Sequence, residues 1–195
     1  MNAGRPLEFD PEQALEAAME LFWRKGYEAT SLQDLLAAMG LSKSSFYQTF
    51  KSKHALFQAS IRHYRRMLDQ DLTRQMEVAG SGKAFLQNLF QHLVVETRDA
   101  DARKGCLLMN TASEFAQNDP RIAAVVAQGI ESLRDIFETA IRQSQEQGEI
   151  PVGQDARALA TYLVSSMSGI KNMIKAGADK KTVREIAGLT LRILD

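Results

Sequence analysis

The sequence predicts an all-α protein of nine helices. Apolar residues recur at helical spacing along nearly all of the 195 residues, strand-like alternation bounded by turn residues is missing, and the breaks between apolar stretches hold helix caps. Asp10-Pro11-Glu12-Gln13 opens the first helix: Asp10 as N-cap, Pro11 at the first helical position where its missing N–H costs nothing, and Gln13 at the reciprocal capping position. Leu15, Ala18, Met19 and Phe22 follow at helical spacing and Gly26 ends the helix, which spans about 11–25. Thr30 and Ser31 cap a short second helix through Met39, Gly40 makes a tight turn, Ser42 caps a short third helix through about Thr49, and Ser52 caps a long fourth. Two short helices joined around a glycine have helix-turn-helix geometry. The fourth helix carries Leu56, Ser60, Tyr64, Met67, Leu68, Leu72 and Met76 along one line until Gly80-Ser81-Gly82 breaks it. A helix over 83–98, a polar turn and a helix over 105–117 come next. Asp119-Pro120 starts a long one ending near Gly148, another runs from Gly153 to Ala176, and the last reaches Leu194.

The composition bounds the class of protein. With 24 Lys+Arg against 24 Asp+Glu and 45% hydrophobic residues, the chain is neither disordered nor fibrous, and it can sustain a core without disulfides. One cysteine cannot make an internal bridge, and the opening MNAGRPLEFD lacks a basic-then-apolar leader, so a soluble cytoplasmic protein is expected. The longest uncharged stretch, Ala158 to Ile170, is 13 residues, short of the ~20 that span a membrane. The neutral total hides an asymmetry. No acidic residue lies between Asp34 and Asp69, whereas Lys43, Lys51, Lys53, Arg62, Arg65 and Arg66 all fall there with His54 and His63. Such a local field favours a polyanion.

Thr30 to Leu56 reads TSLQDLLAAMGLSKSSFYQTFKSKHAL. On its third helix Phe46 and Phe50 lie one turn apart and can pack inward, leaving Lys43, Ser44, Ser45, Tyr47, Gln48 and Thr49 to point outward. Gln pairs bidentately with adenine, Lys reaches guanine, and Thr offers a methyl to thymine, which suits a major groove. Tyr47, Lys53 and the hydroxyls of Thr30 and Ser42 are placed as phosphate anchors. The alternative is a solvated polar face with ordinary caps.

The same stretch resembles the DNA-binding domain of the TetR/AcrR family of bacterial regulators, through Thr30, Leu32 to Met39, Gly40, Ser42-Lys43-Ser44-Ser45-Phe46-Tyr47-Gln48-Thr49-Phe50 and Ser52-Lys53-His54-Ala55-Leu56. The likeness continues upstream through Ala18, Leu21-Phe22, Gly26-Tyr27 and Ala29, about 50 residues in all. It implies a homodimer that binds a palindromic double-stranded DNA operator through residues 1–52, and a small-molecule effector and its twin through 53–195. It also makes Thr30, Lys43, Ser44, Ser45, Tyr47, Gln48, Thr49 and Lys53 DNA-contact candidates. Ser44 stands where relatives often have Gly, and Thr49 where they often have His or Tyr, so no operator sequence can be borrowed.

Other residues complete the expectation. Gly4-Arg5-Pro6 is extended and could carry Arg5 into a minor groove, or be a frayed terminus. Cys106 follows Arg103-Lys104-Gly105 at a helix start, a setting that activates a thiol; ahead of Leu107, Leu108 and Met109 it reads first as a small core residue. Some members of the resembled family sense electrophiles through a thiol in such a Gly-Cys-Leu segment. Phe85, Phe90, Cys106, Met109, Asn110, Phe115, Phe137, Tyr162, Ser166 and Met173 are the effector-pocket candidates, with simple core as the alternative. Helices eight and nine are apolar on more than one face, which places Leu159, Leu163, Met167, Ile186, Leu189 and Ile193 at a dimer interface.

Enzyme chemistry finds little support. H-E-x-x-H, C-x-x-C and G-x-S-x-G are missing, and Gly80-Ser81-Gly82-Lys83 follows a helix and ends in Ala84, so it is no phosphate loop. His54, His63 and His92 have no partner at metal spacing, and no metal or cofactor is expected. A cytoplasmic thiol enzyme and a helical adaptor with a degenerate helix-turn-helix are the alternatives to a transcriptional regulator.

Overall fold

The structure is a computed structural model and describes residues 9–99, 101–115 and 118–195. Among them are nine α-helices and no strand: α1 Pro11–Lys25, α2 Leu32–Met39, α3 Lys43–Phe50, α4 Lys53–Val78, α5 Gly82–Glu96, α6 Leu107–Phe115, α7 Pro120–Glu146, α8 Ala156–Lys175 and α9 Lys180–Leu191. Single 3₁₀ turns cover Asp101–Lys104 and Arg192–Leu194. Helix six begins at Leu107 rather than at Gly105, whose φ of 73° is outside the helical well; its expected last residues, 116 and 117, lie outside the described residues. The reciprocal capping box forms at Ser31 and Asp34.

The chain divides into two compact units, Met1–Tyr64 and Arg65–Asp195. The sequence reading closes the first domain at 52. The first unit runs further because the opening turns of α4 belong to its core: Leu56, Phe57 and Ile61 are buried with Ala18, Phe22, Leu35 and Phe46. The Phe22 and Phe57 rings meet edge to face at 4.9 Å, Tyr27 lies 4.9 Å from Phe57, and Trp23 meets Tyr64 edge to face at 4.9 Å. Each large side chain so buried contributes about 1.5–3 kcal/mol.

The second unit packs α5, α7, α8 and α9 through Phe85, Leu86, Phe90 and Leu93 of α5, Leu133, Phe137 and Ile141 of α7, Leu163, Ile170 and Ile174 of α8, and Val183 of α9. Phe85 and Phe137 meet edge to face, 6.3 Å apart. At its N-terminus α5 touches the α7 backbone: a Cβ on Gly82 would fall on the Ala140 carbonyl oxygen. The Lys83 N–H donates to the buried Ser144 hydroxyl at 2.5 Å, which satisfies one of the amides a helix start leaves unpaired.

Gly82→Ala is therefore expected to destabilise the protein by about 2–3 kcal/mol, as overpacking against backbone does. Gly153→Ala, with nothing within 4 Å of its added Cβ, is the control and is expected to change little. Urea unfolding monitored by circular dichroism checks both; equal midpoints would refute the close approach.

Candidate nucleic-acid interface

The helix-turn-helix is set up by local capping. The Ser31 hydroxyl accepts from the Asp34 N–H at 3.0 Å, and the Asp34 carboxylate accepts from the Ser31 N–H at 3.1 Å. The Ser31 backbone and side-chain hydrogen bonds, with Lys25 3.4 Å away, hold the Asp34 carboxyl below its ordinary value of 3.8. A carboxyl so depressed favours folding above its unfolded pKa, and that contribution is lost as pH falls through the folded one, below 3.8. Gly40, at φ 64° and ψ 30°, turns the chain, and Ser42 caps α3 by accepting from the Ser45 N–H at 3.2 Å.

An eight-residue helix is unstable alone, so α3 is held by what it buries. Phe46 is fully buried, with Phe50 6.0 Å away and the Tyr47 ring meeting it edge-on at 5.2 Å. That anchoring decides the other face. Lys43, Ser44, Tyr47 and Gln48 are exposed, Ser45 and Thr49 half-buried. The Ser42 hydroxyl lies 3.0 Å from that of Ser44 and 2.9 Å from that of Ser45. Lys53 is half-buried with its ammonium 4.1 Å from the centroid of the Tyr27 ring, a cation–π contact that holds it at the start of α4. The structure thus brings Ser42, Lys43, Ser44, Ser45, Tyr47, Gln48 and Thr49 together on or beside one helix.

Thr30 requires a correction. It is fully buried and its hydroxyl donates to the Gly26 carbonyl at 2.6 Å, so it ties α1 to α2 instead of standing on the exposed face, and Ser31 is the cap. Arg5 lies outside the described residues. Lys51, exposed just past α3, is absent from the sequence candidates.

The effector-pocket candidates differ in burial. Phe85, Phe90 and Phe137 are fully buried core and Cys106 is 5% exposed, whereas Tyr162 and Met173, 45% and 38% exposed, lie on the outward side of α8. Met109, Phe115 and Ser166 are half-buried. Asn110 is engaged at both ends, donating to the Lys104 carbonyl at 2.7 Å and accepting from the Lys175 ammonium at 2.8 Å. An open groove of about 490 Å³ lies along Arg65, Ala127, Gln128, Glu131, Ser132 and Asp135, none of them a sequence candidate. The dimer-interface candidates also differ in burial. Leu159, Leu163 and Met167 face the core of their own unit and Ile186 is half-buried; of the six, Leu189 and Ile193 are exposed, at 57% and 42%. The outward side of α8 carries Tyr162, Ser165, Gly169 and Met173.

Two family models match the chain. Residues 14–60 match the bacterial regulatory proteins of the tetR family, and residues 82–188, more than half of the chain, match the tetracyclin repressor-like C-terminal domain. The chain belongs to the TetR family. Its relatives include the transcriptional regulator YezE of Bacillus subtilis, 33% identical over 98% of this chain and 100% of YezE, and the transcriptional repressor ComR of Escherichia coli, 31% identical over 98% and 92%. Among solved structures, a cysteine mutant of the TetR regulator CifR in complex with 26-bp operator DNA matches with a TM-score of 0.82 at 25% identity, over 98% of this chain and 100% of that one. As a TetR-family member the chain is a transcriptional regulator of all-α fold with an N-terminal helix-turn-helix. No helix among its described residues is long and apolar enough to cross a membrane.

The DNA-contact candidates on α3 and at the start of α4 of this TetR-family protein separate into two expected behaviours. Tyr47→Phe and Lys53→Ala should weaken every DNA duplex alike, because phosphate contacts carry no base information, whereas Gln48→Ala should cost roughly 1–3 kcal/mol on the preferred duplex only. Titrations against a selected and a scrambled duplex check this; equal losses on both in Gln48→Ala would remove that residue from base readout.

Proposed function

We propose that this TetR-family regulator is a repressor that acts in the cytoplasm as a homodimer without catalytic activity. The dimer grips a palindromic duplex through its two α3 helices and is released by a small molecule, or by an electrophile reaching Cys106. One observation carries the reading: a capped α3, anchored by buried Phe46, presents Lys43, Ser44, Tyr47 and Gln48 to solvent within a stretch free of acidic residues. The repressor name of ComR and the operator complex of CifR support it. Dimerisation uses the outward side of α8, with Tyr162, Ser165, Gly169 and Met173, together with Leu189 and Ile193. Glycine and serine at helical spacing let a twin helix approach closely.

Release needs an effector that distinguishes two conformations. Helix α4 is the natural lever, since one continuous helix contributes residues to both compact units. Its displacement would spoil the match between the two recognition helices and half-sites about one helical turn of DNA apart.

Affinity for a duplex selected by the protein from a random library is expected to fall steeply between about 50 and 200 mM salt, as counterion release requires. Light scattering is expected to report a dimer at micromolar concentration. Salt-insensitive or absent binding, or a monomer, would contradict the reading. N-ethylmaleimide added to wild type and Cys106→Ser separates the two release routes, because only the thiol route is lost in the variant.

A further inference from the structure

Two residues, Lys51 and Ser52, separate the end of α3 from the start of α4. Lys51 has φ 66° and ψ −42°, and it is the one non-glycine residue with positive φ among the described residues. The Ser52 N–H donates to the Phe50 carbonyl at 2.7 Å. Phe50, Lys51 and Ser52 therefore close a γ-turn with positive central φ, the rare and strained form. An L side chain pays a steric penalty there that glycine does not.

The turn persists because both flanks are fixed. On one side Phe50 lies against Phe46, which is fully buried. On the other, the Ser52 hydroxyl accepts from the Ala55 N–H and its carbonyl from the Leu56 N–H, both at 3.0 Å, and Leu56 is fully buried. The chain must leave α3 and enter α4 within two residues, and a tight turn is what satisfies both ends. Glycine takes positive φ at six other described positions, including Gly26 and Gly40 of this same unit. At 51 the strained position instead holds an exposed lysine. It stands one helical turn beyond Tyr47 and Gln48, in a stretch from 35 to 68 without an acidic residue.

We propose that Lys51 is a phosphate-contacting residue whose γ-turn sets its ammonium beside the exposed side of α3, so that folding stability is exchanged for DNA affinity at this position. The proposal rests on the DNA-binding reading above. It has a signature that a merely structural residue cannot give: the substitution that relaxes the backbone strengthens the fold and weakens the complex.

Three variants of the full chain test it: Lys51→Gly removes strain and charge, Lys51→Ala removes charge alone, and Lys51→Arg keeps both. Lys51→Gly is expected to melt about 2–4 °C above Lys51→Ala, since relief of the steric penalty outweighs the added freedom of an unfolded glycine. On a duplex selected by the wild type and on a scrambled one, Lys51→Ala and Lys51→Gly should bind about three- to tenfold more weakly, with the salt slope reduced by about one contact, while Lys51→Arg stays near wild type. If Lys51→Gly melts no higher than Lys51→Ala, the strain is refuted. If wild type binds the selected duplex and both neutral variants bind it equally well, the phosphate contact is refuted. If wild type itself binds no duplex, the DNA-binding reading fails, and the melting comparison still decides the strain.

Discussion

The first unit depends on the burial of Phe46. Helix α3 has eight residues, too few to form by its own hydrogen bonds, and it exists because one of its side chains is taken completely into a core of Phe22, Leu35, Leu56 and Phe57. The anchoring also decides the direction of everything else on the helix. With Phe46 inward, Lys43, Tyr47 and Gln48 must be outward, and the caps at Ser31 and Ser42 fix where α2 and α3 begin. A side chain buried for stability thereby places the side chains that we propose meet DNA.

The second unit solves a different problem with small residues. Gly82 lets α5 begin against the α7 carbonyl of Ala140, and Gly129 makes room for Leu108, whose Cδ2 would lie 2.7 Å from an added Cβ. Ser144 sits in the first of these junctions, fully buried and hydrogen-bonded to Lys83. Close helix packing leaves the aromatic residues Phe85, Phe90 and Phe137 as core, while the open groove lies along α7 beside Arg65. Within that groove's surroundings the Ser132 hydroxyl donates to Asp69 at 2.7 Å, linking α7 to α4.

Much of this was legible in the sequence because capping and punctuation are local. Asp10 with Pro11, Ser42, Asp119 with Pro120 and Gly40 mark helix ends where the structure has them, and the phenylalanine pair at 46 and 50 indicates which side of α3 turns inward. What depends on a third dimension was not. Helix α8 is apolar on more than one side, so spacing alone could not tell that Leu159, Leu163 and Met167 fill their own core while Tyr162 and Met173 look outward. Thr30 and Ser31 are equally good caps on paper, and only the Gly26 carbonyl beside Thr30 draws its hydroxyl inside. Lys51 gave no signal either, because a strained turn is written in the shortness of a connection and not in the residue that occupies it.

We propose that the exposed side of α3 is the surface that meets DNA. Amide hydrogen exchange, read by mass spectrometry on the free protein and on its complex with a duplex selected from a random library, tests that most directly. Slowed exchange concentrated in peptides covering residues 42–56 is the predicted result. Slowing confined to the second unit, with residues 42–56 exchanging as in the free protein, would contradict it.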